Sequence, residues 1–320
     1  MKKRKYLFVL LLLISIGVVL FGGTFFYVKL NNDQTSDSEL LIITSCNPVY
    51  LATINVVGDA EGVTVQNLSQ PTTGCLHDYT LTTEDMKNLS KADVLVVNGG
   101  GMEGYLEDVM EAYPELPIID TFEAVEDTYP VIIEEEGEEE GEEAEEEEHH
   151  HDEGANSHIW MSEEIYAGQV QAIADGLAEL DSSNASVYAS NADTFISVMN
   201  SQIDHQGLDE TLSGANVAVL HEAFAYTAQS LGTNVVATMD LDEERQVSAG
   251  EVSEFIDAIN DNNVQVVFAE YDYGHAMGEL ITEQTDAKVV YLETLVHGDY
   301  SGLDYITVLN KNYALIKNSL

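Results

Sequence analysis

The stretch LLIITSCNPVYLATINVV, residues 40–57, decides the fold. Its first five residues form a short apolar run with no polar alternation, which is how a strand buried on both faces reads. After Ser-Cys-Asn-Pro the apolar residues change to helical spacing over 49–57. The unit repeats outward from there. Runs at 64–67, 94–98 and 117–120 read as strands, and 82–91 and 105–112 as helices, with Thr82 and Asp85 spaced as a helix-start signature. This is the βαβ rhythm of a parallel sheet. It resumes after residue 215, with strands over 217–220, 234–238, 264–269 and 288–291 and helices over 223–231, 248–260, 275–285 and 303–318. Ser248 and Glu251 repeat the start signature, and Val252, Phe255, Ile256 and Ile259 supply the apolar stripe. Between the halves, Tyr166, Val170, Ile173, Leu177 and Leu180 line one helical face. Tyr188, Ala192, Phe195, Met199 and Ile203 line another, extending towards Thr211. No Gly/Ser-rich linker intervenes, so two α/β lobes joined rigidly are expected.

The chain has 320 residues, 58 acidic against 11 basic, and a formal net charge of −47. Five of the basic residues, Lys2, Lys3, Arg4, Lys5 and Lys29, lie in the first thirty, which hold no acid. The rest of the chain therefore sets six basic groups against all 58 acids. Such a surface repels phosphate backbones and anionic headgroups and draws in cations, which excludes nucleic acid as a partner.

Behind the basic flank, residues 6–28 run 23 positions without a charge, enough to cross a bilayer. They read as a signal anchor over 1–30, with cleavage as the alternative, followed by a polar tether over 31–39. The chain beyond is then extracytoplasmic. No cysteine precedes Cys46, which argues against a lipid-modified N-terminal cysteine. The expected division is an N-terminal lobe over 40–181, a linking helix over 182–214 and a C-terminal lobe over 215–320. Residues 134–148 hold twelve glutamates and are followed by His149, His150 and His151. Mutual repulsion makes a disordered loop of 134–153 the expectation.

Histidines fall where βα loops are expected. His77 follows the second strand and His221 ends the first strand of the second half; His158 precedes the first central helix. Glu293 follows the last strand. Ligands of parallel α/β sheets bind beyond the carboxyl ends of the strands. Three imidazoles and a carboxylate make a four-coordinate N/O shell that suits zinc.

Several motifs in order carry a resemblance: His77-Asp78-Tyr79 followed by 81–85, Val97-Asn98-Gly99 with Glu103, His158-Ile159-Trp160, and His221 with Ala223, Phe224 and Tyr226. Phe268-Ala269-Glu270 ahead of 288–293 completes the set. Residues 40–320 resemble the metal-binding solute receptors of ABC importers for zinc and manganese. The resemblance implies two (β/α)4 lobes with parallel sheets, joined by a long rigid backbone helix, with one metal in the inter-lobe cleft. Carried over position by position, His77, His158 and His221 are ligands and Glu293 stands at the acidic ligand position. Manganese members have a glutamate at the His221 position, so imidazole there favours Zn²⁺ over Mn²⁺. The resemblance also gives the acidic loop, with His149–His151, the reading of an auxiliary metal-collecting site.

Two cysteines depart from that pattern. Cys46 and Cys75 are expected to form a disulfide pinning the His77 loop, with Cys75 as a thiolate ligand the alternative. Glu222, Asp78, His275 and His297 are candidates to orient the imidazoles. The expected function is an extracytoplasmic Zn²⁺ receptor, a monomer without catalysis, that hands its ion to an ABC importer permease. The rivals are a manganese or iron receptor, an adhesin-like surface protein, and a zinc hydrolase using Glu293 or Glu222 as base; no HExxH pair supports the last.

Overall fold

Residues 40–69, 77, 79–133, 154–239, 241, 247–298 and 301–320 are described by a computed structural model. The expected signal anchor, tether and acidic loop with His149–His151 lie outside them, as do Asp78 and Cys75. Among the described residues no helix is long and apolar enough to cross a membrane.

Each half builds a four-stranded sheet. The first takes the order β2-β1-β3-β4, with β1 Leu40–Thr44, β2 Val63–Asn67, β3 Val94–Val97 and β4 Ile118–Asp120. The second takes β6-β5-β7-β8, with β5 Asn216–Val219, β6 Asn234–Thr238, β7 Val266–Glu270 and β8 Lys288–Leu292. β1 pairs parallel with β3 and β3 with β4; β5 pairs parallel with β6 and β7, and β7 with β8. The central strands β3 and β7 are buried along their whole length. That agrees with their unbroken apolar runs.

Helices α1 Asn47–Val57, α2 Thr83–Leu89 and α3 Leu106–Ala112 connect the first sheet, and α7 Phe224–Ser230, α8 Ala249–Asp261 and α9 His275–Gln284 the second; α10 Asp304–Ser319 ends the chain. Both start signatures close as full capping boxes, Thr82 with Asp85 and Ser248 with Glu251. Pro48 sits in the first turn of α1, where its missing N–H costs nothing, and Gly58 ends that helix at φ +54°.

Between the sheets lie α4 Glu163–Leu180 and α5 Ala185–Gln202, then the short α6 Leu208–Leu212. Asp181 turns the chain between α4 and α5. Its carboxylate accepts from the Ser183 N–H, from Asn184 Nδ2 at 2.6 Å and from Tyr188 Oη at 2.8 Å. Burial pushes its pKa up, but these hydrogen bonds outweigh it and bring it down to about 2. The linking helix is shorter than the 182–214 expected. Gln206 and Gly207 adopt left-handed φ of +60° and +75°, and Asp204 Oδ1 accepts the Gln206 N–H at 2.8 Å, a local turn that competes with helix.

The halves are stitched by buried polar contacts. Tyr166 stacks on Tyr305 with centroids 3.7 Å apart. Tyr166 Oη donates to the Pro48 carbonyl at 2.8 Å and Tyr305 Oη to that of Trp160 at 2.8 Å. Tyr226 Oη donates to the Asn156 carbonyl at 2.7 Å.

Candidate metal centre

The site is assembled from loops at the carboxyl ends of strands in both sheets. His158 is fully buried and caps a 3₁₀ turn, Ile159–Met161. Two anchors hold its loop. Asn98, just past β3, donates from Nδ2 to the Ser157 carbonyl at 2.8 Å. Asn156 Oδ1 accepts the His158 N–H at 3.1 Å while its Nδ2 donates to the Glu222 carbonyl at 3.0 Å, which fixes the amide orientation. The β3 loop is itself drawn tight by buried Glu103, whose carboxylate accepts the N–H groups of Asn98 at 2.8 Å and Gly99 at 3.0 Å. A Cβ on Gly99 (φ +83°) would lie 1.9 Å from Asp120 Oδ1, so only glycine fits.

Two further imidazoles lie around His158. The ring centroid of His221, also buried, is 4.8 Å away and edge-on, and that of the exposed His77 is 5.5 Å away. Ligand atoms of His77, His158 and Glu222 all lie within 4.8 Å of one another. Burial holds the His158 pKa well below the usual histidine range, and the His77 charge adds to this. The neutral form is the one that binds metal. Its Nδ1 lies 3.1 Å from Glu222 Oε1 and 3.3 Å from Asn156 Oδ1. Two oxygens facing Nδ1 favour a proton there, so Nε2 is the nitrogen this tautomer would offer to a metal. Carboxylate, imidazole and metal in line is the usual way a histidine ligand is oriented.

Glu293 is not among these converging groups. Its carboxylate is ion-paired with Lys311, and its backbone is held by Asn312 in both directions, N–H to Oδ1 at 3.0 Å and Nδ2 to C=O at 2.8 Å. His297 instead pairs with Asp272 at 3.0 Å, and the ring of His275 stacks on that of Tyr291 with centroids 4.1 Å apart. Trp160 packs 5.1 Å from His158 and donates from Nε1 to the Thr294 carbonyl at 2.7 Å, tying the His158 loop to the β8 loop.

The expected Cys46–Cys75 bridge is corrected in part. Cys46 is a free thiol, buried at the entry to α1, with burial and then the Glu103 charge raising its pKa to about 12. A thiol buried so fully is neutral and inert rather than poised for exchange. One group was quoted within a motif but given no role: Glu270, the buried last residue of β7, whose pKa burial raises to about 8, with Asp272 and Glu293 adding to the rise. Its position at a strand's carboxyl end was the available signal.

Residues 42–319 match the family described as zinc-uptake complex component A, periplasmic. The manganese-binding lipoprotein MntA of Halalkalibacterium halodurans is 23% identical over 253 residues, 74% of each chain. The zinc-binding lipoprotein AdcA of Streptococcus pneumoniae is 25% identical over 302 residues, taking in 92% of this chain but 58% of AdcA. The SBP FpvC of Pseudomonas aeruginosa, solved with Ni²⁺, shares the fold at a TM-score of 0.74 and 24% identity, over 88% of this chain and 96% of its own. With the match running through both sheets and all three histidine loops, the chain belongs to the family of zinc-uptake complex component A, periplasmic.

Proposed function

We propose that this chain is an extracytoplasmic Zn²⁺ receptor that captures the ion between lobes over 40–181 and 215–320 and delivers it to the permease of an ABC importer. The observation that carries this is the convergence of three imidazoles from three separate loops, at 4.8 and 5.5 Å between ring centroids. His77, His158 and His221 supply nitrogen ligands, Glu222 orients His158, and Glu293 is the carboxylate for the fourth position. A shell filled by protein groups binds and releases without catalysis. The name of AdcA, a zinc binder, supports zinc, and that of MntA keeps manganese as the second reading. Residues 1–30 would hold the receptor, as a monomer, at the outer face of the membrane.

The test is calorimetric titration of the metal-stripped full chain with Zn²⁺ and then Mn²⁺, beside His158→Ala, His221→Ala and a chain lacking 134–153. Expected is one tight zinc site that survives loop deletion and weakens more than about 100-fold in either histidine variant, since losing a ligand exceeds the loss from its supporting groups. Zinc binding that is weak and vanishes with the loop would overturn the cleft assignment, and tighter binding of Mn²⁺ than Zn²⁺ would overturn the choice of metal.

A further inference from the structure

The loop after β8 belongs to the second half in sequence, yet the first half holds its main chain. The Thr294 carbonyl accepts from Trp160 Nε1 at 2.7 Å. The next carbonyl, that of Leu295, accepts from Asn47 Nδ2 at 2.7 Å, and the His297 carbonyl accepts from the same nitrogen at 3.3 Å. About two turns further along α1, on the same face, Asn55 Nδ2 donates to the Gly302 carbonyl at 2.8 Å. The contact is close: a Cβ on Gly298 would lie 2.7 Å from Asn47 Nδ2. Asn47 is fully buried, and among the described residues its Oδ1 has no hydrogen-bond partner. Leaving that oxygen unsatisfied carries a penalty that an apolar residue would avoid, so what this position supplies is its donor. The segment it holds is strained. The described non-glycine residues with positive φ are Gln206, Asn263 and Leu295, and the leucine, at +69° and buried, has no polar side chain to support the turn. A leucine disfavours left-handed backbone by on the order of tenfold.

We propose that Asn47 is a positioning residue of the metal centre: by holding Leu295 in a left-handed conformation it fixes the β8 loop, and through Thr294 and Trp160 it steadies His158. The inference rests on the reading of His158 as a zinc ligand. Asn47 need not touch the ion. Its hold on the Leu295 carbonyl is one residue from the Thr294 carbonyl, which anchors the Trp160 indole, and that ring lies 5.1 Å from His158. Freed from Asn47, Leu295 returns to ordinary φ and draws the Thr294 carbonyl off the indole. If only about a tenth of the molecules then keep the loop in place, apparent zinc affinity falls by the same factor.

Glycine at 295 separates positioning from general loosening, because it takes left-handed φ without penalty yet gives up a buried side chain. The experiment is calorimetric titration of the metal-stripped full chain with Zn²⁺, beside urea unfolding of the same samples. The samples are the parent, Asn47→Leu, Leu295→Gly and the double variant Asn47→Leu/Leu295→Gly. Leu keeps the shape of the amide and removes its donor; Asn47→Ala, with and without Leu295→Gly, repeats the comparison with no bulk beside Gly298. Expected is a loss of about tenfold in zinc affinity for Asn47→Leu, of which the double variant recovers about fivefold. The double variant should at the same time unfold at lower urea than Asn47→Leu, since a buried leucine is gone. A loosened fold would move affinity and stability together, so their opposite movement is the mark of positioning. Zinc affinity within about twofold of the parent in Asn47→Leu, or a double variant that binds no tighter than Asn47→Leu, would overturn the proposal. A parent with no tight site dependent on His158 would instead overturn the receptor reading itself, so the two failures are distinct.

Discussion

Gly104 makes its case by what it lacks. A Cβ there would lie 2.5 Å from the backbone carbonyl oxygen of His77, so the loop after β3 and the turn carrying His77 touch main chain to main chain. In Gly104→Ala one of them must shift, and His77 sits on an exposed turn that can move. Zinc affinity is expected to fall on the order of tenfold by calorimetry, as when a ligand loses its support, and the effect should vanish in a His77→Ala background. A loss that persists without His77 would place the damage elsewhere. Glu270 makes a different prediction, through its charge. Its carboxyl is held protonated up to about pH 8 when folded but ionises near the ordinary glutamate value when unfolded. Its contribution is therefore fully present at low pH and lost as pH rises through about 8, at a slope of at most about 1.4 kcal/mol per pH unit. In denaturant unfolding of the metal-free protein, Glu270→Gln should gain on the parent steadily from pH 5 to 8. A constant difference across that range would show that Glu270 does not titrate as its burial implies. Sequence marked His77 and His221 by their place after strands, because that rule depends only on local pattern, and His158 by its place before the first central helix. It could not show the pairing of Lys311 with Glu293, because that depends on what α10 and the end of β8 bring together from eighteen residues apart.

At the scale of elements, legibility follows how local the cause is. All eight strands were readable as short apolar runs, and the capping boxes at Thr82 and Ser248 were readable from residues three apart; both form in full. The apolar stripe of α8 buries Phe255, Ile256 and Ile259 as its spacing implied. The central helices were harder. The stripe through Tyr188, Phe195 and Met199 continues in pattern to Ile203, yet the helix stops at Gln202 because Asp204 bonds the Gln206 N–H and Gly207 goes left-handed. Helical spacing shows where a helix could run, whereas a side chain that captures a backbone N–H decides where it ends. The same logic explains the turn at Asp181, where three neighbours bond one carboxylate and convert two stripes into two packed helices. These two helices lie in sequence between β4 and β5, so their turn bears on how firmly the first half is joined to the second.

At the scale of the whole molecule the net charge of −47 becomes a force of its own. Repulsion among like charges opposes the compact state, and dissolved ions screen it over a Debye length of about 10 Å at 0.1 M salt. The melting temperature of the metal-free chain should therefore climb by a few degrees as NaCl rises from about 0.02 M to 0.3 M. Beyond that the screening length is shorter than most charge separations and the curve should flatten. A rise that stays linear to 1 M would point to exclusion of salt from apolar surface instead, which has no such saturation. The glutamate run of 134–148 holds twelve of the 58 acids, so deleting 134–153 should leave most of the rise in place. If the salt response disappears with that segment, the repulsion is local to it, and the lobes themselves carry their acids without strain. The same field draws divalent cations to the surface whatever their identity. Field and site thus divide the labour: salt should slow zinc capture without altering the ratio of zinc to manganese affinity, because screening acts alike on two ions of equal charge and leaves the ratio to the type of ligand.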